Sequence, residues 1–381
     1  MFHDDMEDHS SKPPKVTPYA APPSDAYAEV DRSSLYIAEF CGAKVWPLSK
    51  PRIVLGDAAT AAIKELPAPD ISIPDLSGEH CQIAVKGDNT VRLTDLDSGN
   101  GTYIGPHLIK GSWDIRAGDR FRPWPAELFL LNTRMLAERD LLFDILGQRG
   151  SMTADMVLTE VVRTPKPILI MGPKGSEAEL LAEAIHRASH RHAHELTSLA
   201  SLPGTYQEAT DFIRTASRLK ATVVYRVQPP PVDVPFLDRL YDDSYGIRPI
   251  ALASTLEEAY SGLTRDAVQK SYLITIRPIA HREDFAQILD RLFRSLDAPH
   301  LRVSDLSPEN FEAISSFSWE ENLTQLRLFA DVAVLLDKHG NLAEVERQTG
   351  QDYYPFMRKI GVRLIIKDHR KGSARLTTIF K

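Results

Sequence analysis

Two hydrophobic periodicities divide the chain. From Leu35 to Leu131 the apolar residues fall into short runs: Leu35–Phe40, Ile53–Leu55, Ile71–Ile73, Cys81–Val85, Val91–Leu93, Tyr103–Ile104 and Leu128–Leu131. Gly56, Gly87-Asp88-Asn89 and Gly99-Asn100-Gly101 supply turns between them. Many short strands punctuated in this way predict a β-sandwich over residues 33–133. Helical spacing then takes over. Met135–Leu146, with Leu136, Leu141, Leu142, Ile145 and Leu146 on one side, and Met152–Val162 read as helices leading into the apolar strand Ile168–Met171. Helical and apolar runs alternate beyond it. They predict an α/β core with a mainly parallel sheet over 134–296, then a helical lid over 297–335.

Near the end, Leu326–Lys338 reads as a helix stopped at His339-Gly340. Asn341 can cap a helix Leu342–Thr349, Gly350 makes a turn, and Asp352 can cap a helix Tyr353–Ile360 with Pro355 tolerated in its first turn. Helix, glycine turn, helix is helix-turn-helix grammar, assigned to residues 336–381. Residues 1–32, with SKPPK, PYAAPP and several acids, read as a disordered leader.

Composition changes this picture in three places. No run of eighteen apolar residues exists and the first ten residues are acidic, so a cytoplasmic protein without a membrane span is expected. Cys41 and Cys81 are isolated, which argues against a disulfide framework or a zinc site. Charge is unevenly placed. From Arg358 to Lys381 eight bases stand against one acid, and that +7 leaves −14 for the remainder of a chain whose net charge is −7. A basic end on an acidic body suits a polyanionic partner, and a solvated tail is the plain alternative.

The most informative stretch is Ile168–Ser189, where an apolar strand runs into Gly172-Pro-Lys-Gly175 and an amphipathic helix, the frame of a phosphate-binding loop. That loop needs G-x-x-x-x-G-K-[ST], a lysine for phosphates and a hydroxyl for magnesium. Counting from Gly172, its last three positions are Glu177, Ala178 and Glu179. An acid there repels triphosphate and alanine offers no counter-charge, so Gly172, Gly175, Glu177 and Ala178 are read as an inactive nucleotide loop.

The same stretch resembles the AAA+ domain of bacterial enhancer-binding proteins, activators of sigma-54 RNA polymerase, whose loop GESGTGKE is followed by LVARAIHRAS. Leu181–Ser189 here is a close match. The family strand GGTLFLDEI, whose acids hold magnesium and activate water, falls on Lys220–Gln228, with Arg226 and Val227 at the acidic positions. Ser201–Leu219 lacks the family's GAFTGA loop. Arg248–Ser254, Leu273–Ile276, Arg282–Asp284 and Leu306–Arg327 resemble later strands, a turn and the lid, with the nucleotide-sensing lid arginine falling on Thr324. The resemblance implies an AAA+ frame without catalysis: no catalytic residue, no cofactor, and a monomer or homodimer rather than a nucleotide-bridged hexamer. His186, His190, His192 and His194 cluster, but His186 belongs to the AIHRAS helix and no cysteine or carboxylate pair completes a metal set.

In the sandwich, Ser77-Gly-Glu-His80, then Asp95-Leu-Asp-Ser98-Gly-Asn100-Gly101-Thr102, then Gly118-Asp119 resemble a forkhead-associated (FHA) domain. That family binds phosphothreonine peptides from loops at one end. The resemblance implies phosphopeptide contacts at Ser77 and Asn100, with His80 tying loops together. The family's Gly-Arg becomes Gly56-Asp57, which replaces the phosphate-pairing arginine with an acid. Lys50, Arg52 and Lys64 are alternative cations, and a sandwich that only makes protein contacts stays open beside phosphothreonine binding.

Asn341–Ile360 resembles the Fis-type DNA-binding end of enhancer-binding proteins. It implies that Tyr353 and Tyr354 face the major groove and that Arg358, Lys359 and Arg363 contact DNA phosphates. Together these readings expect a multidomain, non-catalytic bacterial transcription regulator: FHA-like sandwich, degenerate AAA+ core and helix-turn-helix. Its expected partners are DNA and a protein, phosphorylated or not. The alternative is a scaffold of a phosphorylation-dependent complex without DNA binding.

Overall fold

The computed structural model describes residues 34–87, 89–147, 152–228 and 234–361. The leader, Arg363 and the rest of the basic end lie outside the described residues. The chain divides into two units, residues 1–137 and 138–381.

The first unit is a sandwich. Its strands are β1 (Leu35–Glu39), β2 (Val45–Pro47), β3 (Arg52–Gly56), β4 (Ile71–Ser72), β5 (Cys81–Gly87), β6 (Thr90–Asp95), β7 (Thr102–Ile104), β8 (His107–Leu108), β9 (Ser112–Arg116), β10 (Arg120–Pro123) and β11 (Leu128–Asn132), with a short helix, α1 (Ala58–Ile63), after β3. One sheet has the order β2-β1-β11-β10-β7-β8 and the other β4-β3-β5-β6-β9. Every pairing is antiparallel except β3 with β4. Alternate residues of both sheets meet between them, Ile37, Phe121, Leu128 and Leu130 from one and Leu55, Ile83, Leu93 and Ile115 from the other.

All seven apolar runs become strands. Four strands, β2, β8, β9 and β10, lie outside those runs because their cross-strand partners, rather than their own mixed sequences, place them. Helix α1 was not legible as a periodic segment. It is six residues long, and Asp57 caps it by accepting from the Ala59 N–H at 3.1 Å.

The second unit's elements begin with α2 (Thr133–Leu146), which runs across the division, and α3 (Ala154–Met156), continued by a π-helical turn, Val157–Val161. There follow β12 (Ile168–Met171), α4 (Ala178–Ala188), β13 (Leu196–Leu199), α5 (Tyr206–Leu219), β14 (Thr222–Arg226), α6 (Val234–Leu240), β15 (Arg248–Ala253), α7 (Leu256–Gly262), α8 (Arg265–Lys270) and β16 (Tyr272–Thr275). The chain ends its described part with α9 (Phe285–Ser295), α10 (Pro308–Ser316), α11 (Asn322–His339), α12 (Leu342–Thr349) and α13 (Tyr354–Ile360). The expected single helix Met152–Val162 is thus broken in character. The Thr159 hydroxyl donates to the carbonyls of Asp155 and Met156, at 2.9 and 3.3 Å, and competes with the regular ladder.

The sheet is parallel throughout, in the order β13-β14-β15-β12-β16. Every residue of β15 is buried, as expected of a strand covered on both faces. Helices α5 to α8 pack on one face, against Leu169, Val223, Tyr225 and Ala251. Helix α4 packs on the other, its Leu181, Ala182 and Ile185 buried. The chain leaves β12 towards β13 on one side, and leaves β15 past β12 towards β16 on the other. That reversal makes the carboxyl ends of β12 and β15 the switch point, where open α/β sheets bind ligands. Helix α11 runs on to His339, so the lid boundary expected at 335 falls inside it, and Gly340, at φ 81°, ends it in a left-handed turn. No helix among the described residues is long and apolar enough to cross a membrane.

Candidate functional site

The loops after β3, before β5 and after β6 meet at one end of the sandwich. A Cβ on Gly56 would lie 2.0 Å from the Gly78 carbonyl oxygen, so glycine permits the close approach of the first two loops. The Asp57 N–H donates to the Ser77 carbonyl at 3.0 Å. His80, fully buried, joins the second loop to the third: the Ser77 N–H donates to its Nδ1 at 3.3 Å, and its Nε2 lies 3.2 Å from the Gly101 carbonyl. An N–H donating to Nδ1 and a carbonyl facing Nε2 require the neutral ring with its proton on Nε2. Burial, which disfavours imidazolium, holds its pKa below the usual histidine value.

The third loop is a self-bonded turn. Asp95 Oδ1 accepts from the Ser98 and Thr102 hydroxyls, both at 2.7 Å, and Ser98 Oγ accepts from the Gly101 N–H at 3.0 Å. With those side chains used internally, Asn100 is carried exposed at the tip. The Gly99 N–H donates to Ser77 Oγ at 3.3 Å, which brings both expected peptide contacts, Ser77 and Asn100, to one surface.

The expected cations separate. Lys50 pairs with Asp70 at 2.6 Å, and Asp70 also accepts from the Val54 N–H; this pair and Arg52 belong to the start of β3, the end away from Gly56. Lys64 caps the C-terminus of α1, whose Ala61 packs against Gly78, and it alone of the three stands at the loop end. The Asp57 carboxylate accepts from the Thr60 hydroxyl at 2.7 Å, which with the Ala59 N–H holds its pKa below the ordinary value.

In the second unit the loop after β12 lies at the switch point, and its own chain covers it. The Gly172 N–H donates to the Ala253 carbonyl at 3.0 Å. Gly175, at φ 71°, is approached so closely that a Cβ would lie 2.0 Å from the Glu321 carbonyl oxygen. The Asn322 amide donates to the Lys174 carbonyl at 2.8 Å, and the Thr324 N–H and hydroxyl reach the Gly175 carbonyl at 3.1 and 3.3 Å. Thr324, the residue on which the AAA+ resemblance placed a sensing arginine, thus ties the start of α11 to the loop. Lys174 pairs with Glu321 at 2.7 Å.

Charges fill the rest of the place. Glu177, at φ 60°, turns a nearly buried carboxylate to Arg327, whose Nε donates at 2.8 and 3.1 Å. Arg327 also stands 3.8 Å from Asp144, which accepts from Arg291 Nε at 2.7 Å. Burial pushes the carboxyl pKa of Glu177 and of Asp144 up, and Arg327 and Arg291 oppose the two shifts. Two acids and two arginines therefore form a balanced network linking α2, α9, α11 and the loop. A second ion pair joins Glu179 at the start of α4 to Arg226 at the end of β14. Ala178 is buried at the first turn of α4.

At the far end, Asn341 caps α12 by accepting from the Glu344 N–H at 2.9 Å, and Gly350 ends it at φ 73°. Helix α13 starts at Tyr354, one residue later than expected, since Tyr353 is its cap residue. Met357 and Ile360 are buried, while Tyr354 and Arg358 are exposed. Lys359 pairs with Glu320 at 3.1 Å, and Arg347 pairs with Glu344 at 2.9 Å.

These loops define a class before any protein: a sandwich whose S-x-x-H and D-x-x-S-x-N-G-T residues build one loop end carries an FHA domain, and residues 63–122 match the family model of that description. Among solved structures, the chain is similar to the FHA domain of CT664 protein from Chlamydia trachomatis, at 20% identity over 26% of this chain and 97% of that one, TM-score 0.22. It is also similar to EmbR of Mycobacterium tuberculosis in complex with a low affinity phosphopeptide, at 22% identity over 26% of this chain and 24% of that one, TM-score 0.22. NtrX from Brucella abortus in complex with ATP aligns at 18% identity over 46% of this chain and 48% of that one, TM-score 0.35. No curated protein matches the chain.

Proposed function

We propose that this chain is a non-catalytic regulator: an FHA sandwich that docks a protein partner, joined to a degenerate AAA+ core that keeps its fold without nucleotide. The observation that carries the reading is the occupied switch point. In the AAA+ resemblance, Glu179 and Arg226 stand where a hydroxyl and an acid would hold magnesium, and here they pair with each other. Glu177, where the second glycine would admit phosphate, pairs with Arg327, and lid residues bond to the loop carbonyls. Nucleotide would have to break these contacts and place its negative charge beside two acids. Without a bridging ligand, the expected assembly is a monomer or homodimer.

Isothermal calorimetry of the full chain with magnesium-ATP tests the pseudo-ATPase. No heat of binding is expected at millimolar nucleotide, and no rise in melting temperature, since a ligand that does not bind cannot shift the equilibrium. Micromolar binding overturns the reading.

DNA binding at the C-terminal helices is a second reading, favoured by the capped α12, the Gly350 turn and the exposed Tyr354 and Arg358 on α13. Against it, Lys359 and Arg347 are already paired with acids. It expects affinity for a random-sequence duplex that falls steeply with salt and drops on Arg358→Ala. A duplex that fails to bind at about 50 mM salt, where phosphate contacts are strong, leaves the protein-docking regulator alone.

A further inference from the structure

Among the described residues of the sandwich four large apolar side chains are exposed, Ile63 (84%), Leu66 (39%), Leu108 (37%) and Leu96 (36%). All four belong to the Ser77–Asn100 loop end. Leu66 lies against Gly78: a Cβ there would be 3.2 Å from its Cδ1. Leu108 lies in the same way against Gly101, at 2.3 Å. The Leu96 N–H donates to the His80 carbonyl, and Ile63 ends α1, whose Ala61 packs on Gly78. Single exposed leucines are common on any surface, whereas a set confined to one end marks a contact.

Charge at the same end is one-sided. Asp57, Glu65, Asp75, Glu79 and Asp97 stand on these loops against the single Lys64. Three of the five, Glu65, Asp75 and Asp97, occupy left-handed turn positions and are exposed. Of the bases just outside, Arg122 lies over the rings of Tyr103 and Trp124, at 5.5 and 4.9 Å from their centres, and Lys110 follows the β7–β8 hairpin. A phosphothreonine brings a charge of about −1.5 to −2 and draws its affinity from cations. Here it would meet Lys64 and a field of carboxylates, beside a backbone junction, Asp57 to Ser77, that carries an acid where phosphate wants an arginine.

We infer that this loop end binds an unphosphorylated segment of a partner protein in which lysine or arginine residues alternate with aliphatic ones. The aliphatic side chains cover Leu66, Leu108 and Ile63, and the bases answer the surrounding acids. Ser77 and Asn100 then serve the peptide's backbone rather than a phosphate. The inference rests on the protein-docking reading of the FHA unit and names the chemistry of its partner.

Fluorescence anisotropy of the full chain with designed ten-residue peptides tests it. The probes alternate leucine with lysine, with glutamate or with serine, around a central alanine or phosphothreonine. The lysine–leucine peptide with central alanine is expected to bind best, and to weaken several-fold as salt rises from about 50 to 300 mM through screening. It should weaken about tenfold in Ile63→Ser, which loses an aliphatic contact without touching the core or adding charge. It should also weaken in the double variant Glu79→Gln, Asp97→Asn. Preference for the phosphothreonine peptides overturns the inference and leaves the docking reading standing. Binding of the lysine–leucine peptide that ignores these variants places it elsewhere on the chain and also overturns the inference. Binding of no probe in any charge class counts against the docking reading itself.

Discussion

Replacing Arg327 with alanine is expected to destabilise the second unit by about 2 kcal/mol near neutral pH, a melting temperature lower by about 4–8 °C for a unit of this size. The loss does not come from an ion pair on the surface, which is worth little. Glu177 has only 9% of its side chain exposed, and removing its partner leaves a buried carboxylate without counter-charge. The figure lies below the usual cost of breaking a fully buried pair because Arg327 itself is 31% exposed and water can enter its place.

Glu177→Gln in the same background should recover much of the loss. A carboxyl whose pKa is raised in the folded state is stabilised by protonation, so the Arg327→Ala deficit should also shrink as pH falls towards the ordinary glutamate value of 4.5. Trp319 is the one tryptophan of residues 138–381, buried and donating to the Ile314 carbonyl at 2.9 Å, so its fluorescence follows this unit during urea unfolding. Equal stability of the variant and the parent at pH 7.5, or no recovery with Glu177→Gln, would show that the network is not what holds lid to loop.

The sequence exposes the inner strands β12, β14 and β15 because each holds a continuous apolar run, as a parallel strand buried on both faces requires, whereas the edge strand β13, Leu-Thr-Ser-Leu, holds none. Set beside the AAA+ resemblance, it also shows, one position at a time, where this chain departs from that family's catalytic pattern. What it hides is compensation. Glu179 and Arg226 are 47 positions apart and each reads as a missing magnesium ligand, yet their opposite signs at neighbouring sites were a signal that they pair. Arg327 closes the stretch that resembles the lid, with nothing to mark it as a partner of Glu177, and Asp144 and Arg291 carry no motif at all. A buried Glu177 demands a cation, but only the packing of α9 and α11 says which one. In the sandwich, the motif residues Asp95, Ser98 and Thr102 were legible by spacing, whereas their use inside the turn was not. Helix α1 is not legible because six residues rich in alanine show no apolar period, and in the sequence alone its cap, Asp57, reads as a charge facing phosphate.

In the first unit the largest effect is expected at His80. His80→Ala should lower the stability of the sandwich by about 3 kcal/mol, since it leaves the Ser77 N–H without its acceptor, leaves the Gly101 carbonyl with only the Trp124 N–H, and opens a cavity between two loops. For a domain of about 100 residues that is a fall of 10 °C or more in melting temperature. Glutamine, which can accept and donate from one amide, should restore part of it, and an aliphatic isostere should not. Three of the four tryptophans, Trp46, Trp113 and Trp124, belong to this unit, so their fluorescence dominates its transition. The pH dependence supplies the sharper test. The ring has a folded pKa below the ordinary histidine value of 6.5, so unfolding takes up a proton as pH falls through that value, and folded stability declines from about pH 6.5 downward until the folded pKa is reached. The slope attributable to one proton is at most about 1.4 kcal/mol per pH unit. His186 and His190, whose pKa values burial lowers to about 4, add slopes of the same sign, but to the second unit. The difference between parent and His80→Ala stabilities of the sandwich should therefore narrow as pH drops from 7 towards 5. A gap that stays constant over that range means the histidine is not held neutral between the two loops, and the geometry that presents Ser77 and Asn100 would need another cause.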